Sequence, residues 1–60
     1  MVSEFEVKKT VAGKFYWRFK AGNGEIVASS ESYESKQACL DGINSVKKEA
    51  STAAIHDMIK

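Results

Sequence analysis

The amino-acid sequence predicts an α+β fold, a three-stranded antiparallel β-meander followed by one α-helix (β-β-β-α). Three observations carry this expectation. An alternating aromatic run occupies residues 15–20, an Asn-Gly pair follows at 23–24, and an apolar stripe of helical spacing runs from Cys39 to Ala50.

Residues 4 to 8 alternate as Glu4, Phe5, Glu6, Val7, Lys8, which puts Phe5 and Val7 on one face, the period of a half-buried strand. Thr10 to Lys14 reads as a turn around Gly13, where a positive φ costs little. In the run that follows, Phe15, Trp17 and Phe19 share one face and Tyr16, Arg18 and Lys20 the other. Aromatic side chains fill a pleated, half-buried surface well, so the three-ring face is expected in the core. Asn23-Gly24 predicts a type I′ hairpin turn, because that turn needs positive φ at both central residues. A third strand at about 25–30 would then carry Ile26 and Val27 on opposite faces, and apolar character on both predicts that each is at least partly covered.

Ser30 to Glu34 has no periodicity and reads as a loop. Ser35 is placed to cap a helix. Cys39, Ile43, Val46 and Ala50 recur at spacings of four, three and four, the stripe of an amphipathic helix, and Gly42 on the same side predicts a close approach to the sheet. Beyond Ala50 the pattern changes. Ala54, Ile55, Met58 and Ile59 keep helical spacing, but Ile55 falls roughly 180° around the axis from Val46. A break near Ser51-Thr52 is therefore expected. The chain divides into a unit over residues 1–50 and a tail over 51–60, read as a short extra element or a segment that docks on a partner.

Composition bounds the function. Sixty residues make one domain, and a chain so short buries only about 60% of the surface its unfolded form exposes. One cysteine, Cys39, excludes an internal disulfide; one Cys and one His, His56, do not make a four-ligand zinc site. What remains to stabilise so short a chain is oligomerisation or an unusually good small core. Hydrophobic residues at 43% and charged residues at 28% fit a globular domain, and a net charge of +1 is too balanced for a general nucleic-acid binder. No apolar run is long enough for a membrane span, and Met1-Val2-Ser3-Glu4 lacks the plan of a signal peptide. With one unpaired thiol, the expected compartment is the cytoplasm.

The run Asn23 to Lys36 (NGEIVASSESYESK) resembles the signature of the YegP-like proteins, a family of small uncharacterised proteins. Gly42 to Lys48 (GINSVKK), the aromatic strand Phe15 to Lys20 and the opening Phe5-Glu6-Val7 fit the same pattern, so the resemblance covers about residues 4 to 50. Family helices often end in Asn-Ala, where this chain has Glu49-Ala50. The resemblance implies a β-β-β-α unit. Many relatives carry two such units in tandem, which implies that a single-unit chain forms a homodimer. It implies no activity or cofactor for particular residues.

Candidate chemistry is thin. Ser45-x-x-Lys48 has the spacing of serine acyl-enzymes, but it lies late in a helix and the accompanying motifs are missing. Cys39 as nucleophile with His56 as base would need exposure, whereas Cys39 falls on the core stripe. Gly22-Asn23-Gly24 joins two strands and so is a hairpin, not a phosphate loop. Two clusters remain. Glu31, Tyr33, Ser35 and Lys36 crowd the start of the helix, where backbone N–H groups suit a small anion or metabolite, against the plainer reading of a helix cap and loop anchors. Tyr16, Arg18 and Lys20 offer one ring and two charges to single-stranded nucleic acid, against a solvated or dimer-facing sheet surface. The leading expectation is a non-enzymatic homodimeric binding or interaction module, without catalytic, metal or cofactor residues.

Overall fold

The structure is a computed structural model that describes residues 2–59. Three strands, β1 (Glu4–Lys9), β2 (Phe15–Lys20) and β3 (Ile26–Ser29), form one antiparallel sheet in the order β1-β2-β3, and a single helix, α1 (Lys36–Ala50), follows. β1 and β2 pair in continuous register, with Phe5 opposite Phe19, Val7 opposite Trp17 and Lys9 opposite Phe15. That register follows from the period of two: it stacks Phe5, Val7, Phe15, Trp17 and Phe19 on one face, with Lys9 over the Phe15 ring at its end, and Glu4, Glu6, Lys8, Tyr16, Arg18 and Lys20 on the other. Phe5 meets Trp17 edge-on, with ring centroids 5.3 Å apart, and lies 4.9 Å from Phe19.

Both hairpins use the same turn. Gly13 N–H donates to Thr10 O and Thr10 N–H to Lys14 O; Gly24 N–H donates to Ala21 O and Ala21 N–H to Glu25 O. In each, one glycine takes a positive φ, 82° at Gly13 and 91° at Gly24. This is the three-residue hairpin loop, a turn closed by one left-handed glycine. It replaces the type I′ turn expected at Asn23-Gly24, since Asn23 has no positive φ. The reason is local: the Asn23 side-chain oxygen accepts the Glu25 N–H at 3.0 Å, which fixes the asparagine within its own turn and leaves the left-handed position to Gly24.

Ser35 caps α1 as expected, its hydroxyl accepting the Ala38 N–H at 3.1 Å. Gly42 allows a close approach, but to a loop residue and not to the sheet. A Cβ at position 42 would lie 2.9 Å from Cζ of Tyr33 and closer still to the Tyr33 hydroxyl. Tyr33 is held there by its backbone, which exchanges two hydrogen bonds with Phe15 (Phe15 N to Tyr33 O, 2.9 Å; Tyr33 N to Phe15 O, 2.6 Å).

The core is small. Trp17, Cys39 and Ile43 are buried, with Phe5, Phe15, Phe19, Tyr33 and Leu40 packed around them. The helix lies over β2 and β1 and not over β3. All of β3 is consequently exposed, Ile26 at 45% and Val27 at 63%, so the described residues do not supply the expected cover on its two faces. Val27 has no partner across the sheet, because the β2–β3 register slips between Phe19 and Lys20. After Ala50 the helix ends, with the Thr52 N–H and hydroxyl bonded to the Glu49 carbonyl. Residues 53–59 form neither helix nor strand. The short extra element expected there is not formed, since seven residues do not nucleate a helix without a surface to cover their apolar side chains.

Candidate functional site

Apolar spacing predicts that the whole Cys39-Ile43-Val46-Ala50 stripe is buried, but the structure covers only its first half. Cys39 is fully buried and Ile43 nearly so, while Val46 is 36% exposed and Ala50 is exposed. Between the second half of α1 and the sheet lies an open groove of about 270 Å³, walled by Phe5, Trp17, Phe19 and Ala28 on one side and Val46 and Ala50 on the other, with Lys47 at its edge. It exceeds the roughly 150 Å³ cavity that accepts a benzene molecule. Trp17, which lines this groove, also carries the buried indole N–H that finds no acceptor among the described residues. An unmatched buried donor costs about 1–3 kcal/mol.

The two polar clusters are differently engaged. Opposite Tyr16, Arg18 and Lys20 stand Lys8, Glu6 and Glu4 of β1. Arg18 Nε donates to Glu6 Oε1 at 2.7 Å, and Lys20 Nζ lies 3.4 Å from Glu6 and 3.6 Å from Glu4. The Arg18 hydrogen bond, with help from Lys20 and against a smaller opposing effect of desolvation, holds the Glu6 carboxyl below its ordinary range. Arg18 and Lys20 therefore both have carboxylate partners. The signal for that pairing lies in the sequence, in Glu4 and Glu6 at the same alternation as Arg18 and Lys20, but it emerges only once the register is known.

Around the start of the helix, Ser35 spends its hydroxyl on the cap, Tyr33 turns its ring onto Gly42, and Glu31 and Lys36 face solvent. Glu34 makes the ion pair of this loop, with Lys14. The four residues of the expected cluster are thus near in sequence without converging on one point. Ser45 donates its hydroxyl to Glu49 at 3.0 Å, and burial pushes the Cys39 thiol up from its ordinary value. Among the described residues no group of three His, Cys, Asp or Glu side chains is placed to hold a metal ion, and no helix is long and apolar enough to cross a membrane.

A meander of three strands with one helix across two of them defines a small α+β class, and the comparisons with known proteins agree. The model of the domain of unknown function DUF1508 matches residues 11–57. A UPF0339 protein of Treponema denticola is 53% identical over 55 residues, covering 92% of this chain and 95% of its own. The NMR solution structure of a protein from Haloferax volcanii superposes with a TM-score of 0.81 at 41% identity, covering 92% of this chain and 93% of the other. The chain belongs to the DUF1508/UPF0339 family, the YegP-like proteins. One further relative differs in length: the UPF0339 protein in the 5′ region of the ptx operon of Stutzerimonas stutzeri is 46% identical over 50 residues, and the chain spans only 45% of it.

Proposed function

We propose that this chain is a non-enzymatic interaction module that works as a homodimer in the cytoplasm. The observation that carries the reading is the apolar groove beside Trp17, a core left open along the second half of α1. Contiguous exposed apolar surface on a small domain marks an interaction site. Two further features support self-association. β3 presents an uncovered edge with Ile26 and Val27 on its surface, the kind of strand that pairs with another chain unless it is blocked. The Stutzerimonas stutzeri relative, of which this chain spans less than half, is long enough for a second unit of this kind. Against catalysis stand the groups already engaged: Cys39 is sealed in the core, and the Ser45 hydroxyl is bound to Glu49. The reducing interior of the cell fits a protein whose single thiol is kept free.

Sedimentation equilibrium across the micromolar range tests the reading. The expected result is a mass of two chains that falls toward one on dilution. A folded single chain at every concentration would overturn it.

A further inference from the structure

We infer that Asn23 is a site of spontaneous covalent modification: its side-chain amide is lost by cyclisation onto the Gly24 nitrogen, which leaves aspartate or isoaspartate at the tip of the β2–β3 hairpin. The inference does not depend on the homodimer.

An asparagine or aspartate before glycine lets its side-chain carbonyl carbon reach the next backbone nitrogen, because glycine has no Cβ to obstruct the approach. The chain has two such pairs, Asn23-Gly24 and Asp41-Gly42. The fold separates them. Asp41-Gly42 lies inside α1, where the helical ladder engages the backbone nitrogens and fixes the dihedrals. The Tyr33 ring lies on Gly42, and the Asp41 carboxylate accepts a hydrogen bond from Gln37 at 3.0 Å. Asn23-Gly24 is exposed at a hairpin tip, and a Cβ at Gly24 would have nothing within 4 Å.

The reaction needs only water. Solvent base takes the Gly24 N–H proton, and that nitrogen bonds to Cγ of Asn23. The Cγ–Nδ2 bond breaks, and ammonia leaves with a proton from water. Water then opens the five-membered imide at either carbonyl, which gives aspartate or a main chain routed through the side chain, isoaspartate.

In the closed hairpin two hydrogen bonds restrain the reacting groups. Gly24 N–H donates to Ala21 O at 2.9 Å, and Asn23 Oδ1 accepts the Glu25 N–H at 3.0 Å. Reaction therefore passes through local opening. This hairpin is built to open: all four residues of β3 are exposed, its register slips between Phe19 and Lys20, and α1 does not lie over it. Segments with few buried contacts open at a lower free energy than the core. Asp41-Gly42, by contrast, sits between the buried Cys39 and Ile43 and opens only with the core.

The product alters the hairpin. The Glu25 carboxylate now lies 3.5 Å from Asn23 Nδ2, so a carboxylate in place of that amide turns attraction into repulsion. The chain also loses its single net positive charge. Isoaspartate adds a methylene to the main chain of a three-residue loop, which misaligns the Ala21–Gly24 and Ala21–Glu25 hydrogen bonds.

The full chain is incubated in warm, mildly alkaline buffer, folded and in urea, and isoaspartate at positions 23 and 41 is quantified by peptide separation and mass spectrometry. Folding should slow reaction at Asn23 by a factor about tenfold or more smaller than at Asp41, as the difference in local opening requires. The modified folded chain, separated by charge, should show faster hydrogen exchange at the Ala21 N–H. No product at Asn23 in the folded chain, or equal protection of the two sites, would overturn the inference.

Discussion

Replacing Trp17 by alanine removes the largest side chain of the three-residue core, and the cost can be worked from its surroundings. The ring is 92% buried, since it is only 8% exposed, and packs against Phe5 at 5.3 Å. Truncating a buried large aromatic to alanine costs about 3–5 kcal/mol. Two features pull toward the lower end. The groove already opens one side of the site, so less new cavity is created. The lost indole N–H was unmatched, and its removal returns about 1–3 kcal/mol. The net expectation is about 2 kcal/mol. A domain of 60 residues has roughly 3–9 kcal/mol in all, so the variant should lose between about a fifth and two thirds of its stability. Trp17→Phe keeps a ring and drops the donor, and should lie within about 1 kcal/mol of the wild type. Urea unfolding followed by far-UV circular dichroism, at one protein concentration because association adds to stability, measures both. A native-like Trp17→Ala curve, or a Trp17→Phe loss equal to that of Trp17→Ala, would refute the reasoning.

Gly42→Ala should destabilise despite the higher helix propensity of alanine, by about 1–3 kcal/mol, because its Cβ collides with the Tyr33 ring. In a Tyr33→Ala background the same change should become stabilising by roughly 0.5–1 kcal/mol, and thermal melts of the four proteins read the change of sign. Because Arg18 holds the Glu6 carboxyl below its ordinary range, the ionised form is favoured in the folded state; stability from this group is present above the unfolded carboxylate pKa and is lost as pH falls through the lower folded value. Denaturant midpoints across the acid range should therefore fall less steeply for Glu6→Gln than for the wild type.

Much of the fold was legible from period alone. β2 was expected at 15–20 and runs from Phe15 to Lys20, because three aromatic side chains at alternate positions fit few other conformations. The helix start at Ser35 was equally plain from its cap. Register and long-range contacts were not. Asn23-Gly24 marked the hairpin, but whether one or both residues take a positive φ depends on where the Asn23 side chain bonds, and that displaced the expected turn type. Gly42 signalled a close approach without naming Tyr33, a partner set by the bridge from Tyr33 to Phe15. The candidate site was half legible. The apolar stripe identified Val46 and Ala50 as facing inward, and the tail as a second apolar face. That no described residue covers either of them depends on the helix lying over β1 and β2 and not β3, which no local pattern encodes.

The account stands on the groove beside Trp17 being the surface through which two copies meet. Val46→Asp tests this most directly, since Val46 is 36% exposed on the groove wall, outside the buried core, and a carboxylate there remains solvated in a single chain. Sedimentation of Val46→Asp beside the wild type should give a folded single chain at concentrations where the wild type is paired. A variant that pairs as tightly as the wild type would contradict the account.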